Sequence, residues 1–318
     1  MQLETNPRTK KKNTPHASQS PFENWDNISW IRSRPIRQGE ISGLPFSPDL
    51  MPLASHPAIA SDSERWLQVL AYKLLGYLKF TTLLELNYVN PITAALAAGR
   101  APFKVTAQQR SDALRVYCDE AGHALFTEEL TTQVQKKFGL HQSMLGRPRM
   151  ELVLEKILEE NKTELSPHLI KLFFVAISET LISRYLNSLP HDEKVDPLVR
   201  QVVADHADDE VRHNIYYRNI FPILWDSLTC YEKEEVGKLL PKLVCAFLGP
   251  DKDFEYRVLR QIGFKQADAK GILEETYIPS EVAKSVKNAA APTLKMFRDA
   301  GIFNIAAVEQ VFADYDYI

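Results

Sequence analysis

Two short strings in the chain share one pattern: DEAGH at residues 119–123 and DEVRH at residues 209–213. Each sets a glutamate and a histidine three positions apart. On an α-helix such residues lie about 60° apart around the axis and one turn along it, so both side chains can reach one metal pair. A single ExxH recurs by chance in helical proteins, whereas a pair is harder to dismiss. The second string extends backward, because in ADHADDEVRHN His206, Glu210 and His213 fall at i, i+4 and i+7 on one continuous face. Asp209 competes with Glu210 at a similar angle on the other flank, and the parallel with Glu120 and His123 favours Glu210. Asp119 and Asp209 then become candidates to accept the outer N–H of a ligating histidine and fix its tautomer. Asp205 and Asp208 read as solvated or capping charges.

Two further acids sit among apolar residues: Glu85 in TTLLELNYV, and Glu179 in FFVAISETLIS with Val175, Ala176 and Ile182 at helical spacing around it. An unpaired buried carboxylate costs at least several kcal/mol, so it protonates, pairs or binds a metal. Taken alone, Glu179 divides evenly between a buried ion pair and a ligand. Together with the two ExxH strings, these lone acids match the ligand pattern of di-iron or di-manganese carboxylate bundles. The candidate metal and catalytic set is therefore Glu85, Glu120, His123, Glu179, His206, Glu210 and His213. Carboxylate and imidazole donors without thiolate suit Fe or Mn. Cys118, two residues before Glu120, points about 200° away around the helix and is no ligand candidate.

Four long helices must carry these residues, and the apolar spacing predicts them over 62–89, 106–138, 167–189 and 197–225. The first is expected to stop at Asn90-Pro91. The second opens on Thr106 as N-cap and closes at Gly139, the third begins on Pro167 and halts before Pro190, and Pro222 kinks the last turn of the fourth. A shorter helix over 151–160 bridges the second and third, and several more follow residue 226. Residues 1–21, with Lys10-Lys11-Lys12, read as a disordered tail. Residues 22–60 read as an irregular arm laid over the core, with Arg32, Arg34 and Arg37 in a solvated stretch, and residues 61–318 as one helical domain. The expected fold is all-α: a four-helix bundle of ferritin-like type with peripheral helices and an irregular N-terminal arm. No glycine-rich strand-to-helix turn supports a dinucleotide fold.

Composition narrows the partners. A net charge of −3 gives no global attraction to nucleic acid or anionic membrane, and 45% hydrophobic with 25% charged residues is ordinary for a globular chain. The three cysteines form no CxxC pair, and no run approaches 18 uncharged apolar residues. A soluble, cytoplasmic protein is expected, with neither nucleic acid nor membrane as partner.

The series Glu85, DEAGH, Glu179 and HADDEVRH resembles the p-aminobenzoate N-oxygenase (AurF-like) family of diiron oxygenases in ligand type, order and spacing, including the third histidine. The resembling stretch covers about two-fifths of the chain. It implies two iron ions, with mixed Fe/Mn also tolerated, and O2 as co-substrate. Glu120 and Glu210 would bridge the metals, Glu85 and His123 would complete one site, and Glu179, His206 and His213 the other. The implied activity is oxygenation of a primary amine, either an arylamine or an amino-acid-derived or carrier-tethered amine, to N-hydroxy, nitroso or nitro product. A reductase or ferredoxin would donate electrons, and a homodimer is expected. The rival readings are a diiron hydroxylase or desaturase acting at carbon, and a ferroxidase without organic substrate. Tyr88, Tyr117 and Ser183 are within one turn of a proposed ligand, and Lys79, Arg115 and Arg184 are near enough to be weighed for a substrate carboxylate, although core and snorkelling roles are commoner for such residues.

Overall fold

The computed structural model describes residues 20–181 and 184–318, so nearly all of the expected tail, 1–21, lies outside the described residues. Helix α1 (Ser63–Leu84) opens on Asp62, whose carboxylate accepts from the Glu64 and Arg65 amides. It does not stop at Asn90-Pro91. Glu85–Val89 forms a π-helical turn, closed by a hydrogen bond from the Asn90 amide to the Glu85 carbonyl, and α2 (Asn90–Ala97) follows directly. The expected stop fails because the wide turn gives the Pro91 ring the room that a regular α-turn denies it.

Helix α3 (Ala107–Phe138) is closed at both ends by its own sequence. Thr106 and Gln109 form a reciprocal capping box, and Gly139 takes the left-handed conformation after the last turn (φ 65°). After α4 (Arg149–Glu160) comes α5 (Pro167–Ser178), shorter than the spacing predicts. The Thr180 amide bonds back three residues to Ile177, and the Ser178 and Thr180 hydroxyls take the Val175 and Ile177 carbonyls, so the run tightens and ends beside Glu179. A short helix, Arg184–Ser188, continues the strand of sequence that was expected to be one helix. Helix α6 (Pro197–Asp226) starts at Asp196 with Pro197 in its first turn, and it runs on through Pro222.

Helix α3 packs against α1, α2 and α6, and α5 packs against α2 and α6, which makes the bundle. Helix α7 (Cys230–Leu248) lies on α4 and α5, and α8 (Lys252–Gln261) lies on α1 beside α9 (Gln266–Thr276). Helices α10 (Pro279–Asp299) and α11 (Ala306–Asp314) close over α7. Among the described residues there is no strand, only one isolated bridge between Leu44 and Val195. The fold is an all-α, ferritin-like bundle with peripheral helices.

The apolar interior is divided along the bundle axis. One cluster holds Leu84 and Tyr88, Ala113 and Val116, Phe173 and Phe174, and Tyr217 and Phe221. The other holds Leu74 and Leu78, Phe126 and Leu130, and Val199 and Val203. On α3 and α6 the switch from one cluster to the other falls at residues 119–123 and 205–213. A belt of buried ionisable side chains therefore crosses the bundle between the two apolar clusters.

Residues 22–60 are no free-standing unit. Two short helical turns, Trp25–Ile28 and Trp30–Ser33, lie across α3 and α6, and Phe22, Trp30, Phe46 and Ile59 are buried. Arg34 and Arg37 both pair with the buried carboxylate of Asp205, the latter through Nε and Nη2 at 2.6 and 2.7 Å, and Arg34 also reaches the exposed Asp208 at 3.0 Å. This corrects two expectations. Asp205 is neither solvated nor a cap, and Arg34 and Arg37 anchor the arm on it, whereas Arg32 is exposed as expected.

Candidate metal centre

All seven candidate ligands are buried, Glu120, His123 and His213 completely. They converge as two groups of potential ligand atoms: Glu85, Glu120, His123, His206 and Glu210, and Glu120, Glu179, Glu210 and His213. Glu120 and Glu210 belong to both, as a bridging pair must. His206 does not go where the resemblance implied. It joins Glu85 and His123, with Nε2 3.1 Å from Glu210, 4.0 Å from Glu85 and its ring 4.2 Å from that of His123. The physical reason is rise along the helix. His206 and His213 are seven residues apart, about 10 Å on α6, so they serve opposite ends of the cluster.

The two ExxH helices hold each other's histidines crosswise. His123 Nε2 lies 3.2 Å from Asp209 on α6, and His213 Nε2 lies 3.2 Å from Asp119 on α3. An ionised carboxylate only accepts, so each Nε2 carries the proton and each Nδ1 turns inward. There His123 Nδ1 stands 2.9 Å from Glu120 Oε2, and His213 Nδ1 stands 2.8 Å from Glu120 Oε1 and 3.3 Å from Glu210 Oε1. Lone pairs do not face each other at such distances unless a proton or a cation lies between them.

With protons alone in that role, the titration of the cluster is strongly distorted. Burial opposes a charged His123, yet Glu120 and Asp209 hold its pKa up at about 10, and Glu120 and Glu210 hold His213 well above the usual imidazole range against the same burial. Burial raises Glu85, with Glu120 and Glu179 adding to it, and raises Glu179, with Glu210 and Glu120 adding. It pushes Glu120 the same way, but His213 and His123 outweigh it and Glu120 stays well below the usual carboxylate range. His206 is lowered by burial and by the neighbouring His123.

Protons do not satisfy the cluster. Glu85 Oε2, Glu120 Oε1, Glu179 Oε2 and His213 Nδ1 are buried without a hydrogen-bond partner. Four carboxylates carry a formal charge of −4, which two divalent cations balance, leaving the three imidazoles neutral. Oxygen and imidazole nitrogen without thiolate is a donor set for iron or manganese. The residues fit a dinuclear metal group.

Backbone irregularities aim the two outlying acids. The π-turn begins at Glu85, and the end of α5 leaves the Glu179 carbonyl to accept from the Asn214 side chain at 3.2 Å, next to His213. The candidate substrate residues do not gather here. Tyr88 is buried against Phe174, Tyr117 is exposed, Lys79 is half-buried, and Arg115 is held by Ser111 and Asp112. Ser183 lies outside the described residues, as does the side chain of Arg184. Cys118 is a free, half-buried thiol in neither ligand group.

Sequence reasoning missed the contribution of the arm. The Trp25 indole donates to both oxygens of Asp119 at 2.8 and 2.9 Å, the Ser29 hydroxyl donates to the same carboxylate at 2.6 Å, and the Trp30 amide reaches Asp209 at 3.3 Å. Arg212, one turn along α6, also pairs with Asp209. Only that last contact had a local signal, its i, i+3 spacing.

A ferritin-like bundle whose two central helices each contribute Glu and His to one buried carboxylate–histidine cluster is the arrangement of the di-iron or di-manganese carboxylate proteins. The family model for the P-aminobenzoate N-oxygenase AurF matches residues 11–301, and the chain belongs to that family. No individual curated protein matches it.

Proposed function

We propose that the protein is a diiron N-oxygenase that uses O2 to oxidise a primary amine, an arylamine or an amino-acid-derived amine, to the N-hydroxy, nitroso or nitro level. The observation that carries the reading is the pair of ligand groups sharing Glu120 and Glu210, in a cluster whose charge two divalent ions balance. Glu85, His123 and His206 would hold one ion, and Glu179 and His213 the other. Bound iron would supply the activation of O2, with electrons from an external reductase or ferredoxin. The chain's own residues exclude water by burying every ligand, fix the two Nδ1 donors through Asp119 and Asp209, and keep both bridging carboxylates between the same two helices.

The test is metal content by elemental mass spectrometry on protein made in iron-supplemented medium, beside Glu210→Ala. About two irons per chain are expected in the parent, with marked loss in the variant, since Glu210 serves both groups. Amines are then offered with reductant and O2, and the products are read by mass. Hydroxylated carbon with untouched nitrogen would overturn the N-oxygenase assignment, and a parent without iron after anaerobic reconstitution would overturn the metal centre.

A further inference from the structure

We propose that Trp25 and Ser29, from the N-terminal arm, are positioning residues for one ion only, the one held by Glu179 and His213, because they supply the side-chain donors that orient Asp119 beneath His213. The proposal rests on the diiron reading above. Asp119 is almost fully buried, and it accepts the indole N–H of Trp25, the hydroxyl of the wholly buried Ser29 and the Nε2 proton of His213. A desolvated carboxylate of this kind is fixed by its donors; all three lie ninety or more residues away in sequence, and two of them come from the arm.

The twin site is built differently. Asp209, under His123, is paired with Arg212 of its own helix and takes from the arm only the Trp30 backbone amide. Side-chain changes at Trp25 and Ser29 therefore reach His213 and leave His123 supported. The surroundings hold the arm in place whatever those two side chains donate: Phe22 sits with its ring 6.2 Å from that of His213, Trp30 packs edge-on to Phe126 at 5.0 Å, and Arg34 and Arg37 stay on Asp205. At Gly122 an added Cβ would come within 3.3 Å of the Trp30 ring, a measure of how closely the arm is seated on α3.

Without the two donors, nothing but His213 fixes the Asp119 carboxylate; its rotation frees the His213 ring to turn its Nδ1 away. Removing an outer carboxylate partner of a ligating histidine typically weakens metal retention about 10- to 100-fold.

The experiment loads the full-length parent, Trp25→Phe/Ser29→Ala, Trp25→Phe, Glu85→Ala and Glu179→Ala with ferrous iron under anaerobic conditions and follows its release to an excess of a colorimetric ferrous chelator. Glu85→Ala and Glu179→Ala assign the two release phases to the two ions. The double variant is expected to speed the phase assigned to the Glu179/His213 ion about 10- to 100-fold and to leave the other at the parental rate. Trp25→Phe, which keeps a ring in the same packing, shifts that same phase by less. Two unchanged phases would overturn the proposal by reducing the arm to a cover, and two phases accelerated alike would overturn it in favour of a general loosening of the fold. A parent that binds no iron removes the diiron reading itself, and the proposal with it.

Discussion

His206 is the side chain whose chemical role depends most on where the helix carries it. It shares a face of α6 with Glu210 and His213, yet its imidazole meets Glu85 and His123, and no carboxylate backs its outer nitrogen among the described residues. In the proposed centre it is a second neutral donor on the ion that already has His123. His206→Ala is expected to weaken that ion and to spare the one at Glu179 and His213, so iron content falls from about two toward one per chain. Loss of the Glu179-side ion alone would restore the division that the family resemblance implied, and loss of both would overturn the assignment of His206 to a single ion. The extra histidine also lies against Phe126, whose ring contacts both His123 and His206 at 5.4 and 5.9 Å. Apolar packing, in place of a carboxylate, fixes its orientation.

At the level of elements, the start of α6 decides whether the last three ligands arrive in register. Asp196 accepts from the Leu198 amide at 2.8 Å as N-cap and from the Ser42 and Gly43 amides at 2.7 Å, so one carboxylate closes the helix and ties it to the arm. Burial would raise its pKa, but the amides of Gly43, Ser42 and Leu198 outweigh it and hold it below the ordinary 3.8. A carboxylate lowered in the folded state stabilises at pH above its unfolded value and loses that contribution as pH falls through the folded one. Asp196→Asn keeps an acceptor but removes the charge. It is expected to lower the melting temperature at pH 7, and the gap from the parent should shrink steadily below pH 4. Asp196→Ala, which also leaves amides unpartnered, should cost about 0.5–2 kcal/mol for the cap alone. A gap between parent and Asp196→Asn that does not change with pH would show that the charge contributes nothing.

Across the whole molecule, the polar belt is a liability to the fold that bound cations would offset. Glu85, Glu179, His123 and His213 all carry raised pKa values, so the cluster holds protons more tightly than free side chains do, and a metal must displace them. Metal uptake should therefore release protons, and apparent affinity should climb with pH. Anaerobic ferrous or manganous ion at a hundredfold excess over its dissociation constant should add about 2.7 kcal/mol of stability per site and raise the melting temperature. Calorimetry in buffers of different ionisation enthalpy reads the proton count, and Glu210→Ala should lose most of both effects. Uptake that released no proton would contradict the protonation pattern of the cluster. No described helix is long and apolar enough to cross a membrane.

Much of this was legible in the sequence, for a local reason. Helical periodicity is a property of consecutive residues, so the spacing of Glu120 with His123, and of His206 with Glu210 and His213, already placed five candidate ligands on two helix faces. Glu85 and Glu179 betrayed themselves as acids in apolar runs. Thr106, Gln109 and Gly139 announced the ends of α3 within a few residues of themselves. The π-turn at Glu85–Val89 and the early end of α5 were not legible, because both relieve a local conflict by bonding patterns that propensity does not encode. The sequence by itself determined which residues could bind a metal pair and that helices would carry them. Only the tertiary structure decided which group of candidate ligands His206 joins, that the histidines are held crosswise between α3 and α6, that Trp25 and Ser29 reach Asp119, and that Arg34 and Arg37 reach Asp205. Those relations join residues tens to nearly two hundred positions apart, and distance in space between such residues is set by packing of whole helices, not by spacing along the chain.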